Sequence, residues 1–248
     1  MQRVIIVLTT LALLVAPSAA ATGTGASVTV LELNICHGGM AGCYRGDAVM
    51  VKAAEVIRMS KPHVLSVNET CSGDVDRFRP AMGPARALFV AARNLDGSPV
   101  MCSGSDGQYG NIIMVSARFG GTAEESGVYA AQYTAADGIG ELRAWACLPA
   151  ATLSACTTHL SSDNAPTALA QCRELMSRAA GFPGPTVVAG DFNLRDGGMR
   201  DCDRSGFSRR GTRSVLHVYA SDDLSFVTTA EIDMMGTTDH PGWLVTLG

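Results

Sequence analysis

The chain has 248 residues and a formal net charge of −4, with 19 lysines and arginines against 23 acids. Only two cations are lysines, Lys52 and Lys61, so the surface as a whole is not that of a protein held to nucleic acid by bulk charge. Residues 1–21 are set aside: Met1-Gln2-Arg3 is a short positive start, Val4 to Ala16 an apolar run, and Ser18 to Ala21 a small-residue cleavage site, together the pattern of a secretion signal. The apolar run is shorter than the ~20 residues that span a bilayer. The expected mature protein is therefore secreted, cut near Ala20 to Thr22, without stable membrane insertion. Residues 22–248 suffice for one domain with a sizeable core.

Taken in order, Ser27 to Asn34 is a β-branched strand, and the Gly-rich loop from Cys36 to Gly46 leads to a helix capped by Asp47. Val49, Met50, Ala53, Val56 and Ile57 fall at helical spacing, and Lys61-Pro62 ends that helix. His63 to Val67 begins a second strand that terminates in Asn68-Glu69-Thr70, which also fits an N-glycosylation sequon but one too close to Glu69 to be used. A short helix from Asp74 to Arg79, a strand from Ala87 to Ala92 and a polar loop from Leu95 to Gln108 follow, then a strand entered at Tyr109-Gly110-Asn111. Strands are expected at Val128 to Thr134, Leu142 to Leu148 and Thr152 to Leu160. Asp163 or Asn164, followed by Pro166, caps a helix running to about Ala180. The apolar strand from Thr186 stops at Gly190 and delivers Asp191 and Asn193. Six arginines and three aspartates then make 195–213 net +3, suited to gripping phosphates. Val215 to Ala220 and Leu224 to Thr228 read as partner strands about an Asp222-Asp223 turn, and Trp243 to Leu247 closes the chain. Mixed hairpins and helical crossovers point to two packed sheets with helices outside.

Eight cysteines behind a signal peptide argue for disulfides. Cys36 with Cys43 and Cys147 with Cys156 are the two local pairings, which leaves Cys71, Cys102, Cys172 and Cys202 to pair among themselves.

Asn34, Glu69, Asn111, His159, Asp191 with Asn193, and Asp239-His240 all fall where a predicted strand meets a loop. This series, with Thr-Thr-His-Leu at 157–160 and Gly-Asp-Phe-Asn at 190–193, resembles the endonuclease/exonuclease/phosphatase family from about Leu31 to Leu247. The resemblance implies a single-domain α+β fold, a four-layer α/β/β/α sandwich of the deoxyribonuclease type. It implies an Mg²⁺-dependent (or Mn²⁺- or Ca²⁺-dependent) phosphodiesterase, an endonuclease acting on DNA, expected as a monomer with nucleic acid as its partner. Carried over by residue, Asn34, Glu69 and Asp239 stand at the metal, and Asp191 activates water. Asn193 holds the phosphate, His159 stabilises developing charge and His240 is the general acid/base, with Asn111 and Tyr109 giving a supporting contact; Arg195, which heads the arginine-rich segment, is the expected substrate contact from that segment's charge. Leu216 departs from the pattern, standing where the family places an aspartate behind the last histidine; Asp222 and Asp233 are the candidate replacements. Sphingomyelinase-like hydrolysis of a lipid or small phosphoester is the alternative activity, and a secreted binding protein with weakened catalysis the alternative class. His37, His63 and His217 match no motif and are expected to be structural or exposed.

Overall fold

The computed structural model describes residues 27–105, 107–133 and 140–248. The expected signal segment lies outside these residues, as does Thr134. Twelve strands and four α-helices (α1 Asp47–Ser60, α2 Asp74–Met82, α3 Ala165–Ala179 and α4 Asp196–Met199) are found among the described residues. The first sheet runs β11-β12-β1-β2-β4-β3 and the second β5-β6-β7-β8-β10-β9. In the first, β1 is Val28–Asn34, β2 Val64–Cys71, β3 Ala85–Ala91, β4 Tyr109–Ser116, β11 Phe226–Ile232 and β12 Gly242–Leu247. In the second, β5 is Glu125–Val128, β6 Ala144–Leu148, β7 Ser154–His159, β8 Thr186–Asp191, β9 Phe207–Gly211 and β10 Leu216–Ser221.

Each sheet is built around one parallel pair joined by a helical crossover. β1 and β2 are parallel through α1 (Asp47–Ser60), and β7 and β8 through α3 (Ala165–Ala179). The remaining pairings are antiparallel. Strand alternation sorts the side chains of β1: Val28 and Val30 face the other sheet, whereas Leu31 and Leu33 lie under α1 with Val49, Ala53 and Ile57. Between the sheets, branched residues of the first (Val30, Val64, Ile113, Val245) meet small ones of the second (Ala144, Ala146, Ala155, Ala189). On the far face, Leu175, Met176 and Ala179 of α3 cover Val188 and Tyr219. Fully burying each such Leu or Val side chain contributes about 1.5–3 kcal/mol. Helices thus cover both outer faces, giving the expected α/β/β/α sandwich in one domain.

The helix ends follow local chemistry. α1 stops at Lys61, which takes the left-handed conformation and donates its N–H to the Ile57 carbonyl, because Pro62 disfavours continued helix at the residue before it. α3 begins as expected, with the Asn164 side chain accepting from Thr167 N at 2.9 Å and Pro166 in the first turn. Asp47 is the first helical residue of α1 rather than its cap, and pairs with Arg77.

Two expectations are corrected. The strand expected at Val128 to Thr134 is displaced: β5 precedes it, and beyond Tyr129, whose N–H still donates to the Arg143 carbonyl, side chains take over the hydrogen bonding. Ala130 N donates to Glu174, and the Gln132 amide donates to the carbonyls of Tyr129 and Arg143. The residues after Asp223 do not pair back on β10. They cross to the other sheet as β11, which pairs with β12, while the arginine-rich segment supplies the unanticipated β9 that flanks β10. All eight cysteines are paired, as 36–43, 71–102, 147–156 and 172–202. Cys147 and Cys156 are direct cross-strand partners in the β6–β7 hairpin.

Candidate active site

The parallel pairs bring four strand ends to one edge of the sandwich, the position at which sheet folds gather ligands. Asn34 is in register with Asn68, one residue before Glu69, and His159 is in register with Asp191. A polar layer ties the sheets together just beneath. Asn68, fully buried, donates to Asn111 Oδ1 and accepts from Asp191 N at 2.7 Å, and Ser66 bonds Thr157. The sequon asparagine is thus a bridge between the sheets.

Above this layer a cleft of about 200 Å³ opens, lined by Glu69, His159, Asp191, Asn193 and His240. The Asn34 amide Nδ2 spans its floor, donating to Glu69 Oε1 at 2.8 Å and Asp191 Oδ2 at 3.0 Å, while its Oδ1 accepts from Cys36 N. His159 Nε2 is 4.0 Å from Glu69 Oε1, and His240 Nε2 is 3.7 Å from Asp191 Oδ2. Asn193 N donates to Asp191 Oδ1, and its Nδ2 donates to the Leu160 carbonyl. Cys36, Glu69 and Asn193 hold φ of 48°, 54° and 50°, a conformation uncommon outside glycine that clusters where surrounding structure over-determines it. At Glu69 the surroundings are a register shift between β2 and β4 and a hydrogen bond from His37 N to the Glu69 carbonyl.

Burial sets the protonation states. It lowers the His159 pKa well below the usual histidine value, and Arg143 and His240 push the same way, so the imidazole is neutral near pH 7. Burial raises the Glu69 carboxyl; the Asn34 hydrogen bond opposes this and the Asp191 charge adds to it. Two carboxylates linked through one amide, with ionisation resisted at Glu69, form an oxygen-donor set whose charge a hard divalent cation would offset. The residues fit such an ion.

A sequence profile of the Endonuclease/Exonuclease/phosphatase family matches residues 33–243. The chain belongs to this family. Solved structures show the same fold at low identity. D. rerio TDP2 in complex with a single-strand DNA product is 14% identical with a TM-score of 0.66, over 90% of this chain and 99% of that one. An endonuclease/exonuclease/phosphatase from Beutenbergia cavernae DSM 12333 is 17% identical with a TM-score of 0.66, over 89% and 71%. ANGEL2, described as a 2',3'-cyclic phosphatase, is 12% identical with a TM-score of 0.62, over 89% and 95%. Among curated proteins no sequence matches the chain.

Within this family member, the remaining residues singled out from sequence fall in different places. Tyr109 lines the cleft and is buried, its ring so close under Gly38 that a Cβ there would sit 2.5 Å from it. Asn111 lies in the polar layer, bonded to Asn68. Asp239 is largely exposed, 3.7 Å from His240 Nε2, and Arg195 is exposed; neither is part of the cleft lining. Leu216 is fully buried between the sheets, in register with Asp191. Asp222 follows the far end of β10, and Asp233 is exposed and accepts from Met235 N. The carboxylates close to His240 are those of Asp191 and Asp239. The three unassigned histidines are structural: His37 bonds Asp74, His63 accepts from Thr29 N, and His217 bonds the Leu194 carbonyl.

Sequence reasoning missed four features. Glu141 and Arg143 line the cleft as a buried pair, Nη1 to Oε1 3.5 Å; their spacing of two just before an apolar strand was the one signal of them. Gly38 to Ala41 form one wall, closed by the Cys36–Cys43 disulfide and pinned by Ser103 N donating to the Gly38 carbonyl. The Ser162 hydroxyl, also in the lining, accepts from Arg143 Nη2. Glu32, fully buried between the sheets two residues before Asn34, has no hydrogen-bond partner for either carboxyl oxygen among the described residues.

Proposed function

We propose that the protein is a secreted, divalent-metal-dependent phosphodiesterase acting on nucleic acid, with DNA cut endonucleolytically. The observation that carries this reading is the double hydrogen bond from Asn34 to Glu69 and Asp191, which holds the two carboxylates on one cleft floor between His159 and His240. Glu69, supported by Asn34, would hold Mg²⁺, Mn²⁺ or Ca²⁺, with Asp239 as an outer ligand; the ion supplies Lewis-acid polarisation of a phosphoryl oxygen. Asp191 orients the attacking water and accepts its proton. Neutral His159 donates an N–H to the oxygen on which charge develops, and Arg143 faces the same charge from the wall. His240 returns a proton to the leaving oxygen, and Asn193 steadies the phosphate from beside Asp191.

Nucleic acid as substrate is supported by the DNA product bound to D. rerio TDP2 and by the exposed Arg195, Arg200, Arg204, Arg210 and Arg213 that follow Asp191. Secretion is supported by four disulfides with no free cysteine, a pattern that persists in oxidising compartments. Incubating the protein with supercoiled plasmid and Mg²⁺, with and without chelator, tests the proposal: chelator-sensitive nicking is expected, and intact plasmid across the pH range counters it. A second reading, hydrolysis of a small phosphoester, is favoured by the cleft volume of about 200 Å³, below the ~300–1,000 Å³ of most ligand sites. Faster turnover of a cyclic nucleotide or of sphingomyelin than of DNA would select it.

A further inference from the structure

In the cleft wall Arg143 faces the developing charge, but its buried partner Glu141 has no part in the chemistry assigned so far. Glu141 and Arg143 are only 3% and 5% exposed, yet both border the space a phosphate would enter. They are rigidly presented. Leu142 between them makes paired backbone hydrogen bonds with Arg93, and Arg143 is fastened by Gln132, which accepts from its N–H and donates to its carbonyl. Two residues apart on extended backbone, their side chains share one face, at which Arg143 Nη1 meets Glu141 Oε1.

The charges in this wall discriminate. Among the described residues lining the cleft, Arg143 is the one guanidinium, facing three carboxylates, Glu69, Asp191 and Glu141. A phosphodiester brings one negative charge and a phosphomonoester nearly two above pH ~6. Glu141 neutralises the cation that a second phosphate charge would need, and its own charge faces that of the incoming group. Its reach is visible at Tyr109, whose hydroxyl is pushed up by burial first and by Glu141 next.

Resting on the phosphoesterase reading, we propose that Glu141, through its pair with Arg143, is a specificity-determining residue that selects phosphodiesters over phosphomonoesters by charge. In low-dielectric surroundings a unit charge at this range changes binding by tenfold or more.

The test compares wild type, Glu141→Gln and Glu141→Asp on bis(p-nitrophenyl) phosphate and p-nitrophenyl phosphate at pH 8 with Mg²⁺. Alongside, calorimetry measures binding of phenyl phosphate and diphenyl phosphate. The ratio of monoester to diester kcat/KM should rise at least tenfold in Glu141→Gln and stay near wild type in Glu141→Asp, which keeps the charge. Phenyl phosphate binding should tighten relative to diphenyl phosphate in the same variant. If Glu141→Gln fails to fold, wild type alone decides: lowering the pH from 8 to 5 removes the second charge of phenyl phosphate and should narrow the gap between the two ligands. An unchanged ratio, an equal change for both esters, or a gap indifferent to pH overturns the proposal. A wild type that hydrolyses neither ester and also leaves plasmid intact overturns the phosphoesterase reading instead, and the binding measurements still decide whether Glu141 selects by charge.

Discussion

Asn34, the last residue of β1 in one sheet, donates to Asp191, the last residue of β8 in the other, across 3.0 Å. The same nitrogen holds Glu69, so one amide fixes the spacing of two carboxylates that would otherwise repel. Asn34→Ala should lower kcat by at least ~10²-fold, the scale for losing a preorganised polar group. Asn34→Asp should do as much harm by placing another carboxylate directly between Glu69 and Asp191. Steady-state kinetics at saturating Mg²⁺ measures both, and rates within threefold of wild type would exclude the role.

His159 is kept neutral by burial first, then by Arg143 and His240. Its folded pKa lies below the unfolded value of ~6.5, so below that pH the unfolded chain takes up a proton that the folded one refuses. Stability should therefore fall as pH drops from about 6.5 toward the lower folded pKa, and His159→Gln should reduce that acid sensitivity. The Cε1–H resonance of His159 should stay flat between pH 8 and 6. His159→Ala should cost ~10²-fold or more in kcat, and a midpoint near 6.5 for this resonance contradicts the assignment.

Much of the site was readable because strand ends are readable. Alternating apolar runs that stop at Asn34, His159 and Asp191 needed only the knowledge that parallel strands bring such ends together, and the pairs β1–β2 and β7–β8 do so. What sequence could not supply was depth. Asn111 and Asp239 are also expected where a strand meets a loop, yet Asn111 lies within β4 in the layer beneath the cleft, and Asp239 lies in the loop before β12, largely exposed. Nor did it reveal that the chain changes sheet after Asp223, because an apolar run encodes a strand without encoding its partner. Arg143 carried no motif, and its place depends on the hairpin register that sets Trp145 opposite Thr158.

Leu216 cannot be treated as a lost carboxylate awaiting restoration. It packs fully buried between the sheets, among Ala189 and Val218, so Leu216→Asp would place a charge in an apolar layer. A loss of about 3–5 kcal/mol in unfolding free energy is expected, with no gain in activity. Urea denaturation and the nicking assay check the two halves, and a stable, faster variant would show that His240 had lacked this acid.

The disulfides should separate into scaffold and site. Cys172–Cys202 joins α3 to the segment before β9 across a sequence separation of 30, and the double alanine variant should lose roughly 3–4 kcal/mol. Cys36–Cys43 closes a separation of only 7, so its loss should cost less stability but loosen the cleft wall and raise KM. Thermal melts and kinetics of the two variants side by side would refute this if the larger KM change followed loss of Cys172–Cys202.

Glu32 is a destabilising element retained in the middle of the sandwich. Burial raises its carboxyl pKa well above the ordinary value; Ser66, already bonded to Thr157, eases the charge without completing a hydrogen bond, and Asp191 raises the pKa further. The folded state therefore keeps a proton that the unfolded chain releases above pH ~4.5. The stability linked to this group is complete below that pH and is lost as pH rises through the raised folded pKa. Each tenfold difference in proton affinity between the folded and unfolded chains corresponds to ~1.4 kcal/mol. Glu32→Gln preserves the shape and removes the ionisation, so it should be more stable than wild type at pH 8 by a margin that closes toward pH 4. Denaturant midpoints at the two pH values measure the margin. Equal midpoints at pH 8 would mean that water or a cation reaches Glu32 and that the layer beneath the candidate site is not dry.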